Sequence, residues 1–294
     1  MGTKRIVISL GGVNLLDLFA TQVWLLNPAF VERIQPIVIG LYNQGKLDIP
    51  SIGEHPEREI ATTETRKDLV AHIPIWGTMT KKGGMSAEGM QTTEMRISEA
   101  NNDESVSSLL LDIESNGGTV DGMAALGSAI RDSEKPVIAY VDNIAASAAY
   151  WAASQADTIV MNGDNFAEVG SIGALMIHQD STKMIADKIG KIEIIRAPQS
   201  KDKARINPVE KLPNSERERI LNSLEVITDE FISKVKSGRG ERLNTDDENI
   251  FTGKMYNADQ AQELGMVDHL GNFESAINIA KSLGNIVKQN IKAA

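Results

Sequence analysis

Three short runs in the middle of the chain, LLLDI (109–113), VIAYV (137–141) and TIVM (158–161), are apolar at nearly every position. A strand with one wet face alternates apolar and polar residues, so a run that is apolar on both sides has to be covered above and below. That is the situation of a parallel strand with helices packed on both faces of its sheet. The intervening segments supply the helices. After the break at Asn116-Gly117-Gly118, residues 119–133 place Val120, Met123, Ala124, Leu126, Gly127 and Ile130 at helical spacing, and an alanine-rich stretch over about 147–155 separates the second run from the third. The class is therefore α/β with a largely parallel sheet.

The flanking sequence extends the pattern. VAHIPIWGTM, from Val70, reads as a strand before the first run, and ALMIH (174–178) and IEIIR (192–196) read as strands after the third, with DSTKMIADKIG helical between them. Beyond Pro213 a long amphipathic helix is predicted to bury Ile220, Leu221, Leu224, Ile227, Phe231, Ile232 and Val235 and to end at Gly238, followed by two short helices. A polar stretch before residue 66 divides the chain into residues 1–65, a helical N-terminal appendage with its linker, and residues 66–294, the main domain.

Composition excludes several functions. Forty acidic against 30 basic residues, a formal charge of −10, argue against a surface that neutralises phosphates, so no nucleic-acid partner is expected. With no cysteine there are no disulfides, thiolate zinc sites or cysteine nucleophiles. His55, His72, His178 and His269 form no zinc-binding pair, and no metal or cofactor is expected. No apolar run approaches the ~20 residues needed to cross a bilayer, so no transmembrane segment and a cytoplasmic location are expected.

Three features in order carry candidate chemistry. Gly117-Gly118 follows a strand, where it either lets the chain turn or bares backbone N–H groups to an incoming carbonyl. Ser147, in Ala145-Ala146-Ser147-Ala148-Ala149, lies at a strand-to-helix corner, where it is either a helix cap or a nucleophile with the Ala148 N–H beside it. A serine hydroxyl needs a base, and no histidine constellation of the usual kind is present. A lysine serves if burial or a neighbouring cation favours its neutral form. The loop SKDKARINP (200–208) offers Lys201 and Lys203; Lys183, Lys191 and His178 compete on spacing alone.

Taken together, SNGGTVDG (115–122), AASAAYWAASQAD (145–157), VGSIGALM (169–176) and FTGKMYNADQAQELGMVD (251–268) resemble the signal peptide peptidase A family of serine peptidases. The resemblance covers roughly residues 70–285 and implies the ClpP/crotonase-like spiral of β-β-α units. It implies Ser147 as nucleophile and Lys203 as base, with Lys201 as the alternative because Ser200 stands where a glycine is common. It also implies Gly118 and Ala148 as oxyanion donors, and Gly117, Gly170, Ser171, Ile172 and Gly173 beside the substrate. VWLLNPAFVERI and ALMIHQD are closer to the phage and prophage branch, whose members mature capsids. Half-length members of the family, which like this chain hold one copy of the core, imply a homo-oligomer with active sites shared between subunits, and the phage branch implies protein or peptide substrates including phage scaffold and capsid proteins, and action in the host cytoplasm. Alternatives are a bacterial signal-peptide-degrading peptidase, a crotonase-like acyl-CoA enzyme, and a non-catalytic assembly protein of the same fold.

Overall fold

The computed structural model of the chain describes residues 68–293, apart from 85, 86 and 165, together with three short pieces nearer the N-terminus. Those pieces are strands: Ser9–Leu10 (β1) pairs antiparallel with Val13–Asn14 (β2), and Trp24–Leu26 (β3) pairs with a strand of the main domain. Where residues 1–65 are described, at 9–10, 13–14 and 24–26, they form strands; the rest of the helical appendage expected there lies outside the described residues.

The main domain begins with Leu69–Trp76 (β4), Met90–Asn102 (α1), Val106–Ser115 (β5), Gly117–Thr119 (β6), Met123–Arg131 (α2) and Val137–Ala146 (β7). Long strand, short strand and helix in β5-β6-α2 make one β-β-α turn of the expected spiral. Ala148–Ser154 (α3), Thr158–Met161 (β8), Glu168–Gly170 (β9) and Thr182–Lys188 (α4) follow. The last part holds Asn214–Arg239 (α5), Met255–Asn257 (β10), Ala258–Glu263 (α6), His269–Leu270 (β11) and Phe273–Ala293 (α7).

β4, β5, β7 and β8 run parallel in that order, with β11 parallel to β8 at the edge. Only β10 runs antiparallel in this sheet, on β9. Both faces are covered, as the apolar runs require. Leu109, Leu111 and Ile113 of β5, with Val137, Ala139 and Val141 of β7, join the large core under α1, α2, α3 and α5. Leu110, Ile138, Tyr140 and Val160 face Ala276 and Ala280 of α7 on the other side.

β7 forks. Its first half, Ile138–Val141, pairs with β8, whereas Ile144–Ala146 pairs with β9. The far end of β7 is thus held between β5 and β9 where the chain turns into α3.

Four expectations are corrected. IEIIR (192–196) forms no strand: Ile192 and Ile195 are exposed and no described strand lies beside it to complete a ladder. ALMIH likewise forms no strand. In α5 only Phe231, Val235 and Arg239 are buried; Leu221 is 54% exposed, and the helix passes Gly238 to a cap at Gly240. Gly238 serves packing instead, since a Cβ there would lie 2.0 Å from the Ser154 carbonyl oxygen of α3. The last helix, α7, is 21 residues long rather than short.

Arg239 ties α5 to the C-terminal segment. Its fully buried guanidinium donates to Asp268 at 2.8 and 2.9 Å and to the Gly265 carbonyl at 3.0 and 3.1 Å. Asp268 also accepts from the Ile159 N–H of β8 at 2.7 Å. Burial pushes its carboxyl up, but the Arg239 bonds and charge, that N–H and Arg242 together hold it below the ordinary carboxylate range. The stabilisation is therefore complete above about pH 4 and is lost as pH falls through the lowered value. Arg239→Ala, which leaves Asp268 buried without its main partner, should cost about 3–5 kcal/mol in denaturant unfolding, with a weaker dependence on acid than the parent chain.

Candidate active site

Ser147 stands at the corner between β7 and α3 with φ 56° and ψ −118°, a conformation that L-residues rarely adopt. Such a backbone costs on the order of 1–3 kcal/mol and persists only where its surroundings fix it. They do so from both sides. The Ser147 N–H donates to the Gly170 carbonyl of β9 at 2.7 Å, and the Ser147 carbonyl accepts from the Trp151 N–H at 2.9 Å. The alanines that follow are all fully buried, so α3 sits in the core with no freedom to relax the corner.

The hydroxyl does not cap the helix. Ser147 makes no side-chain cap bond, is 0% exposed, and its Oγ has no hydrogen-bond partner among the described residues. A strained backbone that aims an unsatisfied hydroxyl into a buried space is not what a structural serine does. The Trp151 bond is the first that a residue of α3 makes within the corner, and the Ala148 N–H, fully buried, donates to no described group.

Gly118, expected as a second donor, lies in β6 next to Met79. Its neighbours face Met79: the Gly117 carbonyl accepts from the Met79 N–H, and the Thr119 N–H donates to the Met79 carbonyl, both at 2.9 Å. Successive peptide groups of a strand point to opposite edges, so the Gly118 N–H and C=O point away from Met79. Glycine is also compulsory here, because a Cβ would lie 1.7 Å from the Met79 carbonyl oxygen. Gly117 has φ 98° and makes the turn out of β5.

The Gly170–Gly173 turn acts on the corner through its backbone. Besides the Gly170 carbonyl on Ser147, the Ser171 N–H donates to the Lys254 carbonyl at 2.8 Å, and a Cβ on Gly170 would lie 2.4 Å from that same oxygen. Ile172 is buried, and open space lies where a Gly173 side chain would be.

The lysines lie elsewhere. Lys201 and Lys203 are both exposed, on a loop entered through a short 3-10 turn at Pro198–Ser200, and neither bonds to Ser147 within the chain. His178 has a buried Nε2 with no described partner and makes no bond to Ser147 either. Lys183 and Lys191 are exposed, and Lys191 pairs with Glu193 at 3.9 Å.

The lysine loop nevertheless has a fixed shape. Arg196 grips Glu210 through two bonds, at 2.7 and 3.0 Å, and donates to the Lys203 carbonyl and, at 2.8 Å, to the Ala204 carbonyl. Asn207 donates to Ala204 and Glu210 and accepts from the Val209 and Glu210 N–H groups, all within 2.8–2.9 Å. The hydrogen bonds from Arg196 and Asn207 hold the Glu210 carboxyl down at about 2. Arg196 and Glu210 carry no sequence signal: an arginine closing an apolar run and a glutamate beyond a proline are ordinary surface residues until the loop folds.

The fold and this corner define a class, α/β proteins built of β-β-α turns that carry a strained serine where a strand enters a helix. Within that class the chain belongs to peptidase family S49, whose sequence profile matches residues 129–287, the family of signal peptide peptidase A. A protein of Methanocaldococcus jannaschii, named for a protease role, is 29% identical over 194 residues, which cover 64% of this chain and 60% of that one. Capsid assembly protease C of Escherichia phage lambda is 28% identical over 224 residues, covering 72% of this chain and 48% of the phage protein. The chain thus spans between 48% and 60% of the length of these two relatives. A solved membrane protease from Pyrococcus horikoshii, specific for a stomatin homologue, superposes with a TM-score of 0.39 at 18% identity, over 72% of this chain and 78% of that one.

Two outcomes follow. Ser147→Ala should raise stability by about 1 kcal/mol in thermal unfolding, because it removes a buried hydroxyl without a partner; a capping serine would instead lose about that much. Arg196→Ala should leave the melting temperature unchanged and raise hydrogen exchange across residues 198–207.

Proposed function

We propose that the chain is a serine endopeptidase in which Ser147 attacks the substrate carbonyl and Lys203 of a neighbouring subunit is the base. The observation that carries this reading is the strained, uncapped and unpartnered Ser147 hydroxyl at the corner; the Ala148 and Gly118 N–H groups are the oxyanion donors in this reading. Neutral Lys203 takes the Oγ proton, the oxygen adds to the carbonyl carbon, and the two N–H groups hold the developing oxyanion. The amine leaves with the proton from the lysine. Water then attacks the acyl-enzyme, with the same lysine as base, and releases the second product.

Sharing of the site between subunits is favoured by what surrounds the loop. Lys203 is presented on a surface loop whose carbonyls are gripped by Arg196, and Ile195, 89% exposed, and Ile189, 69% exposed, lie shortly before it. Leu221 and Val226 of α5 are exposed as well. Apolar residues in the open near a fixed lysine fit a contact between copies of this chain, and desolvation there lowers the lysine pKa as the mechanism needs.

The natural substrates in this reading are phage or prophage scaffold and capsid proteins, and the site of action is the host cytoplasm during head assembly. Support comes from the likeness to the phage lambda capsid assembly protease.

A serine-directed fluorophosphonate should label Ser147, and Ser147→Ala and Lys203→Met should each lose casein hydrolysis by several orders of magnitude. Lys201→Met should retain it; loss there with activity in Lys203→Met would move the base to Lys201. Mixing the two inactive chains and allowing subunits to exchange should restore about a quarter of the sites, since each then takes its serine and its lysine from different copies. No recovery after proven exchange would refute the shared site.

A further inference from the structure

The strand edge beside the candidate nucleophile is already occupied, and by this chain. Trp24, Leu25 and Leu26 of β3 pair antiparallel with Thr119, Gly118 and Gly117 of β6. The Met79 bonds on the far side of β6 turn the Gly118 N–H and C=O toward β3, so Leu25 and Gly118 are the hydrogen-bonded pair of this ladder, with the Leu25 carbonyl at the Gly118 N–H. That N–H is the group assigned above to the oxyanion. An extended peptide that adds itself to a free sheet edge gains affinity from such main-chain bonds whatever its side chains. The polarity also fits: residues N-terminal to Leu25 run along β6 away from Gly118, as the acyl side of a substrate would if its reacting carbonyl met this donor.

We propose that Trp24–Leu26 is a built-in pseudosubstrate strap, which occupies the substrate-binding edge at Gly117–Thr119 and has to leave before a protein substrate can enter. The assignment of the edge as a substrate site rests on the reading of Ser147 as nucleophile; the occupancy by β3 does not. Ser147, 0% exposed, is closed to solvent while the strap is in place. The described part of the strap binds through three residues, two of them on β6 glycines, so a longer extended substrate or a change in the N-terminal segment on assembly can displace it.

Leu25→Pro in the full chain removes one donor of the pair and disfavours the extended ladder. The Gly118 amide, read by hydrogen exchange with residue-resolved fragmentation, should exchange faster in this variant. The Thr119 amide, bonded to Met79, and the amides of β7 should keep their protection, which shows that the domain is folded. Labelling of Ser147 by the fluorophosphonate should accelerate by about fivefold or more, as expected when the open state goes from a minor to the major population. Unchanged exchange at Gly118 overturns the strap whatever the labelling does. Faster exchange with equal labelling of both chains overturns its role as a block. Faster exchange with no labelling of either chain sustains the occupied edge and removes the peptidase reading instead.

Discussion

Everything at this site depends on the backbone of one residue. Ser147 is held at positive φ because β7 ends between two neighbours: β5 fixes it on one side and β9, through the Gly170 carbonyl, takes the Ser147 N–H on the other. The helix that follows cannot yield, since Ala148, Ala149, Tyr150 and Trp151 are buried and the Tyr150 hydroxyl is bonded to the Met266 carbonyl. The rigidity that stores the strain is therefore distant from the serine. It comes from the fork of β7, the close approach of Gly238 to Ser154, and the Arg239–Asp268 pair that ties α5 to β8 and to the segment before β11. A hydroxyl on such a corner does not cap the helix, and its Oγ has no described partner.

The lysine loop is built on a different principle from the corner. The corner is made in the core, by close packing of small residues, whereas the loop is made at the surface, by an arginine, a glutamate and an asparagine that grip backbone carbonyls and amides. Among the described residues the Ser147 hydroxyl has no partner and the loop lysines stand exposed. It is this separation that the proposed sharing of the site between two copies answers.

How much of this could be read from residues alone follows from what each residue type encodes. LLLDI, VIAYV and TIVM were legible as covered strands because a doubly buried strand leaves no polar alternation, and the structure divides their side chains between two cores as that demands. Ser147 could be read as cap or nucleophile, and the dihedral angles and the absent cap bond speak against the cap. IEIIR misled because β-branched residues also suit an extended segment that pairs with nothing; whether a strand forms depends on a neighbour. Leu221 misled in the same way, since helical spacing of apolar residues does not say whether the surface they meet belongs to the same chain. Arg196 and Glu210 were invisible because a clamp is a property of loop geometry. Gly118 was legible, though its reason was not: the Met79 carbonyl forbids a side chain there as firmly as an incoming substrate would.

That double demand on Gly118 links packing to function. A strand three residues long, pressed against Met79 on one edge, has to leave its other edge unpaired within the domain if its N–H is to serve a reacting carbonyl. Unpaired edges attract strands indiscriminately, and proteins cover them, charge them or shorten them. Charge is unsuited to an edge that has to receive a neutral peptide, and β6 is already only three residues long. Covering by a segment of the same chain is the remaining remedy, and a segment that covers by pairing necessarily imitates whatever the edge was made to bind. The position of Leu25 opposite Gly118 is thus the outcome that the edge itself dictates, with the imitation following from backbone geometry rather than from any likeness of side chains.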